Sequence, residues 1–138
     1  MINENKETLY KFSDRSKKIL SQCDTRLQTL AARLIDVIDF AVIEGYRDDM
    51  KQNEYFDLGL SKARAGESKH NTKPSKAVHF APYPIDWKNR ERFTYLAGIA
   101  VGMAKELGIK IRWGGDWDSD GELTDNGFDD LCHFEIVE

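Results

Sequence analysis

Cysteine, histidine and proline are scarce in this sequence, and long apolar runs are missing. The only cysteines are Cys23 and Cys132. Two cysteines cannot build a disulfide framework, so we expect both to be reduced, as in the cytosol. The longest apolar stretch, near residues 96–104, is broken by glycines and is far shorter than the ~18 residues that a membrane-spanning helix needs. The composition therefore excludes a disulfide-stapled scaffold and a membrane-spanning protein.

An excess of basic charge is also missing. The 20 lysines and arginines stand against 24 acidic residues, and they are not gathered into one block. A nucleic-acid-binding domain usually carries a basic patch, so we expect no nucleic-acid partner. The N-terminal residues show no basic region followed by an apolar one, so we expect synthesis in the cytoplasm without a signal peptide.

The length and hydrophobic content indicate one domain. A chain of 138 residues that is 41% hydrophobic can bury a single core without further staples. We therefore expect one domain over residues 1–138, acting as a monomer, with residues 1–10 as a flexible start.

Apolar periodicity predicts helices first and a small sheet afterwards. Helical spacing is found in four segments, 13–20, 24–38, 48–58 and 89–107. We expect Met50, Tyr55 and Leu58 to share one side of the third helix, and Val101 to lie on the apolar stripe of the fourth. Short β-prone runs occupy 40–46, 77–83, 109–113 and 132–137, and non-periodic loops occupy 60–76 and 114–130. This order predicts an α+β fold, in which three to four helices pack with a small antiparallel sheet.

The chain has three histidines, His70, His79 and His133, and each lies beside a predicted loop–strand junction. A single histidine is more often a hydrogen-bonded polar residue than a metal ligand. Three protein ligands and one open position, however, form the usual design of a catalytic zinc site. Taken as a set, the three histidines are therefore candidate zinc ligands.

Asp130 stands three residues before His133. In a regular strand the two side chains would point to opposite faces, so they converge only if Asp130 lies in a turn that leads into the strand. The preceding residues 126–127, Asn-Gly, favour such a turn. There the carboxylate could act as a general base, and the alternative is a solvated loop aspartate. Cys132 should face away from His133, into the core.

Four segments resemble, in the same order, the M15 family of zinc peptidases, in particular the L-alanyl-D-glutamate and D-alanyl-D-alanine peptidases of phage endolysins. They are residues 68–70, 77–87, 112–117 and 128–135. The resemblance spans about residues 23–136 and implies a hedgehog/DD-peptidase-like fold. It also implies that His70 and His133 bind zinc, that Asp130 is the catalytic base, and that Arg47 polarises the substrate carbonyl.

One ligand position departs from that family, where the second ligand is an aspartate and this chain has His79. Imidazole also suits zinc, so we expect a site of three histidines. Strand alternation should turn Val78 and Phe80 into the core and His79 towards the site. The changed ligand motivates a second hypothesis, a catalytically degenerate module that binds zinc or wall peptide. A structural phage protein without metal is the third.

Three further features of the sequence each allow two interpretations. Asp116, Asp118 and Asp120, followed by a glycine, match the first half of a calcium loop, although Gly127 stands where its final glutamate belongs. The alternative is a plain acidic loop. Ser68 and Lys69 either bind a substrate carboxylate or belong to a solvated loop. Trp117 either lines a substrate groove or anchors its own loop.

The resemblance implies a zinc-dependent peptidase whose partner is the peptidoglycan stem peptide. Either the L-Ala–D-Glu or the D-Ala–D-Ala bond would be cut, since the shape of the pocket decides between them. Without a signal peptide, such an enzyme would reach the cell wall after release through a holin pore.

Overall fold

The computed structural model describes residues 9–124 and 128–138, and these form the predicted α+β fold. The helices are α1 (Asp14–Leu20), α2 (Thr25–Leu34), α3 (Asp49–Asp57) and α4 (Arg90–Glu106), and a short 3-10 turn covers Lys69–Asn71. The strands are β1 (Phe40–Glu44), β2 (Ala77–Pro82), β3 (Ile111–Gly114) and β4 (Asp130–Ile136). Residues 1–8 of the expected flexible start lie outside the described residues. No helix among the described residues is both long and apolar enough to cross a membrane.

The four strands make one antiparallel sheet in the order β1-β2-β4-β3. On the two central strands, His79 lies directly opposite His133. On the neighbouring edge, Glu44 of β1 lies opposite His79. The sheet thus brings two of the three histidines and a glutamate side by side, although they are far apart in the sequence.

The opposite face of the sheet carries the hydrophobic core. Val78, Phe80 and Phe134 are fully buried there against side chains of α2 and α4. Each such buried side chain contributes about 1.5–3 kcal/mol, and a slip of one residue would exchange the two faces of a strand. The core therefore fixes the register that holds His79 and His133 on the other face, which confirms the alternation expected for β2.

Two expectations about apolar faces were wrong. On α3, Met50 is 82% exposed and Leu58 63% exposed, and the only buried residue is Gln52. This helix is attached by polar contacts rather than by an apolar stripe. On α4, Val101 is 44% exposed, because it lies at the margin of the face that Ala97 and Ala100 bury.

Candidate metal centre

The three histidines converge on one point. The Nε2 atom of His70 lies 3.1 Å from Nε2 of His79 and 3.3 Å from Nδ1 of His133, and the last two atoms are 3.2 Å apart. A tetrahedral zinc ion with bonds of about 2.0–2.1 Å holds its ligand atoms about 3.3–3.4 Å from one another. The triangle of nitrogens therefore has the size that one such ion requires.

Each imidazole has an acceptor near its other nitrogen, at hydrogen-bond distance for His70 and His133 and farther away for His79. His70 Nδ1 lies 2.7 Å from the carbonyl oxygen of Gly45, and His133 Nε2 lies 2.8 Å from Oε1 of Glu135. His79 Nδ1 lies 3.6 Å from Oε1 of Glu44. Metal-binding histidines usually have such an acceptor behind them, which orients the ring and leaves the inner nitrogen free of its proton.

Sequence reasoning missed these acceptors. A signal was available for Glu135, which stands two residues after His133 and therefore shares its face of the strand. The sequence carries no signal for the carbonyl of Gly45, because the position of this carbonyl depends on how the chain packs against α1. A Cβ atom on Gly45 would lie 2.8 Å from Sγ of Cys23 and 3.0 Å from the carbonyl oxygen of Ile19. Only glycine lets the chain pass this close to α1 on its way to His70.

Glu135 is an ionised carboxylate between cations. It accepts a hydrogen bond of 2.8 Å from Nη2 of Arg112, and Nζ of Lys69 lies 3.7 Å away. Burial alone would raise the pKa of Glu135, but the hydrogen bonds from His133 and Arg112 outweigh it and lower the pKa to about 2. The acceptor behind His133 is therefore negatively charged at neutral pH.

Asp130 lies beside the histidines, but its position in the chain differs from the predicted one. Its Oδ2 atom lies 3.7 Å from Nε2 of His79 and 3.9 Å from Nδ1 of His133. Asp130 is the first residue of β4 rather than part of a turn. Its side chain reaches the site because the β3–β4 register is irregular next to Gly114. A Cβ atom on Gly114 would lie 2.1 Å from the carbonyl oxygen of Asp130, so only glycine at this position lets the two strands come this close.

Cys132 was wrongly expected to lie in the core. It is only partly buried, and its Sγ donates to Oδ1 of Asp130 at 3.3 Å. The same irregularity of β4 turns it towards the site. Both cysteines are free thiols, as expected.

Burial keeps His70 and His79 neutral. Desolvation is the largest cause that lowers the pKa of His70 and His79 well below the usual value, and the charges of neighbouring histidines and of Arg47 act in the same direction. Neutral imidazole is the form that binds a metal. At pH 7 the site is therefore ready to receive a cation without first releasing protons from these two residues.

This neutrality predicts an acid-sensitive fold. Below about pH 6.5 the unfolded chain takes up protons on His70 and His79 that the folded chain does not, so stability decreases as the pH falls. We expect the melting temperature of the chelator-treated protein to fall between pH 7 and pH 5.5, before Glu135 titrates. Thermal unfolding across this range measures the effect, and a flat profile would contradict neutral histidines.

A cavity of about 1090 Å³ opens onto the metal centre. Its walls include the predicted site residues Arg47, Ser68, Lys69, His70, His79, Trp117, Asp130 and His133. The Trp117 ring centre lies 5.3 Å from that of His133. The side chain of Ser68 also accepts from the backbone N–H of His70 at 3.1 Å, and Lys69 donates to the carbonyl of Ile136. Substrate binding by Ser68, Lys69 and Trp117 stays a prediction.

The guanidinium of Arg47 is buried beside the histidines. It forms a two-point ion pair with Glu44, and its Nη1 donates to Oε1 of Gln52 at 2.8 Å. Its central carbon lies 4.5 Å from the ring centre of Tyr55. Gln52 and Tyr55 carry no sequence motif, so only the fold reveals them.

The acidic loop brings its aspartates together. Ligand atoms of Asp116, Asp118 and Asp120 lie within 4.8 Å of one another. The Asp116 carboxylate accepts from the N–H groups of Asp120 at 3.3 Å and Gly121 at 3.0 Å, so hydrogen bonds within the loop help to hold this shape. The predicted twelfth position, Gly127, and the predicted Asn-Gly turn lie outside the described residues. Calcium binding stays a prediction.

Comparison with known proteins shows the family and the fold of the chain. The family model of phage L-alanyl-D-glutamate peptidases matches residues 8–137. The L-alanyl-D-glutamate peptidase of Escherichia phage T5 is 34% identical over 137 residues, which cover 93% of this chain and 98% of that protein. The crystal structure of the Serratia marcescens L-Ala D-Glu endopeptidase ChiX has the same fold, with a TM-score of 0.74 and 24% identity over 97% of this chain and 94% of that one. The resemblance found in the sequence is thus confirmed, and the chain belongs to the phage L-alanyl-D-glutamate peptidase family.

Proposed function

We propose that this protein is a zinc-dependent peptidase that hydrolyses the L-Ala–D-Glu bond of peptidoglycan stem peptides. The observation that carries the proposal is the triangle of three imidazole nitrogens with the Asp130 carboxylate beside it, at the wall of a large cavity. Family membership favours L-Ala–D-Glu over D-Ala–D-Ala as the bond that is cut.

Three imidazoles fit zinc better than they fit calcium or magnesium, which prefer oxygen ligands. His70 and His79 would hold it through Nε2, and His133 through Nδ1. When bound, zinc supplies a Lewis acid that polarises the amide carbonyl and makes water more acidic.

Asp130 is placed to move protons. Its Oδ1 accepts from Cys132, which leaves Oδ2 directed towards the histidines. The side chain is 28% exposed, so it lies at the boundary between the protein and the cavity. From there Asp130 would take a proton from the attacking water and deliver it to the leaving amine.

Arg47 is placed to polarise the substrate carbonyl. Among the described residues, Glu44 and Gln52 bind three of its five N–H groups, which leaves one N–H on each terminal nitrogen. Arg47 also lines the cavity, so these two N–H groups are proposed to donate to the oxygen that gains negative charge during hydrolysis.

Replacing Arg47 by lysine should therefore reduce turnover roughly a hundredfold, the loss typical of one such donor. A lysine keeps the positive charge but not the planar fork that holds Glu44, Gln52 and the substrate together. The rate per folded molecule, measured beside the melting temperature, tests this. If the variant melts earlier but keeps its rate, Arg47 has a structural role only.

The proposal as a whole is tested by digestion of purified muropeptides, read by mass spectrometry. We expect L-Ala with a free carboxyl group and D-Glu with a free amino group to appear, a chelator to stop the reaction, and added zinc to restore it.

In cells, the enzyme would reach the wall from the cytoplasm through a holin pore. This route predicts that lysis requires a permeabilised inner membrane.

His79 supports one alternative function, because it replaces the aspartate expected from the family resemblance. A protein that binds zinc fully but leaves every muropeptide intact would be a catalytically degenerate module that binds zinc or wall peptide. The same digestion, combined with metal analysis, separates the two functions.

A further inference from the structure

We propose that Glu44 is a positioning residue for His79, and that its carboxylate supplies, behind the imidazole, the negative charge that a histidine ligand lacks. The inference rests on the proposed metal centre. It concerns the one ligand position at which this chain departs from the expected aspartate.

An irregularity in β1 directs Glu44 to this place. Val42 lies opposite Phe80, yet Glu44, and not Ile43, lies opposite His79. One extra residue is thus accommodated in β1, which is the definition of a β-bulge. Without it, Ile43 would oppose His79 and Glu44 would oppose the buried Val78, on the core face of the sheet. The bulge therefore places a carboxylate behind His79.

Glu44 meets the outer nitrogen of the ring. Its Oε1 lies 3.6 Å from Nδ1 of His79, while Nε2 of the same ring faces the other two histidines. At this distance the contact is electrostatic, since a hydrogen bond would need about 2.7–3.2 Å. A carboxylate on this side favours the tautomer that carries its proton on Nδ1 and its lone pair on Nε2.

A chain of buried polar contacts fixes the carboxylate. Arg47 donates two hydrogen bonds to the Glu44 carboxylate and a third to Oε1 of Gln52. The amide nitrogen of Gln52 in turn donates to Ser61 Oγ at 2.9 Å and to the Ala63 carbonyl at 2.6 Å. Gln52 is the one buried residue of α3. The chain of contacts thus explains why a helix without an apolar face is docked here.

His133, the histidine on the neighbouring strand β4, is supported in the same way. Glu135 lies behind His133 and is itself bound by Arg112. Each of the two adjacent histidines therefore has a glutamate behind it, and each glutamate is held by an arginine. A carboxylate behind a ligand imidazole increases its basicity, and the loss of such a partner typically costs 10–100-fold in metal affinity.

A double-mutant cycle with zinc alone tests the inference. The variants are Glu44→Gln, His79→Asp and their combination, and the readout is zinc affinity measured by competition with a chromophoric chelator. We expect Glu44→Gln to weaken zinc binding 10–100-fold when His79 is present. Combined with His79→Asp, the same change should not weaken binding, because the ligand then carries its own charge. Glu54→Gln, at an exposed position on α3, is the matched control and should leave the affinity unchanged.

The cycle separates positioning from simple support of the fold. Glu44→Gln also breaks the ion pair with Arg47, but it does so in both backgrounds. An equal loss of zinc affinity in both would therefore assign Glu44 to Arg47 alone and overturn the inference, with the proposed function intact. A wild-type protein that binds no zinc would overturn both.

Discussion

Replacement of Asp130 by alanine should lower the rate of stem-peptide hydrolysis by about 10²–10⁴-fold and leave zinc bound. Oδ2 of Asp130 lies 3.7 Å from the nearest ring nitrogen, outside the compact triangle that the histidines form by themselves. The alanine variant loses the group that accepts a proton from water, but it keeps all three imidazoles. Metal content and muropeptide digestion, measured on one sample, test both halves of the prediction.

Asp129 is the matched control for this experiment. Its carboxylate forms an ion pair of 2.7 Å with Arg90, whose side chain is 63% exposed, and Asp129 is not among the residues that line the cavity. Asp129→Ala should therefore keep both zinc and activity. A loss of zinc from Asp130→Ala would instead make Asp130 a ligand, together with His79 and Cys132, whose ligand atoms lie within 4.8 Å of it and of each other.

The features predicted correctly depend on local pattern. The spacing of apolar residues located four helices and four strands, because burial repeats with the period of each element. Alternation along β2 placed Val78 and Phe80 in the core and His79 on the other face. The scarcity of histidine made its three positions conspicuous, and the structure brings all three together.

The features that were missed depend on contacts between distant segments. The β1 bulge beside Glu44 and the β3–β4 irregularity beside Asp130 both change which face a side chain occupies. A regular alternation therefore gives the wrong neighbours at these two points. Likewise, α3 was wrongly expected to pack through an apolar side. It is attached by the hydrogen bonds of Gln52 to Arg47 and to residues 61–63, and the spacing of apolar residues along the sequence does not reveal such polar contacts. Both strand irregularities lie at the candidate site, where bulges are commonly found.

Replacement of His70 by alanine should remove zinc binding and, with it, hydrolysis. The loss of an acceptor behind a ligand already costs 10–100-fold in affinity, so the loss of a ligand should cost at least roughly a hundredfold. The melting temperature of the metal-free protein should fall little. The Gly45 carbonyl still lies 3.2 Å from Ser75 Oγ, whose single proton is shared with the Ala77 carbonyl at 2.7 Å. The site of the missing ring also borders the cavity, where water can enter.

Melting temperatures separate these two effects. At a free zinc concentration of 100 times Kd, the wild type gains about 2.7 kcal/mol, whereas a variant that binds a hundredfold more weakly gains about 0.4 kcal/mol. For a domain of this size, these values correspond to a rise of about 9 °C against 1–2 °C. A zinc-dependent rise of about 9 °C that persists in His70→Ala would remove this residue from the ligand set. A steep fall of the metal-free melting temperature would show instead that His70, 1% exposed beneath the cavity, mainly supports the fold.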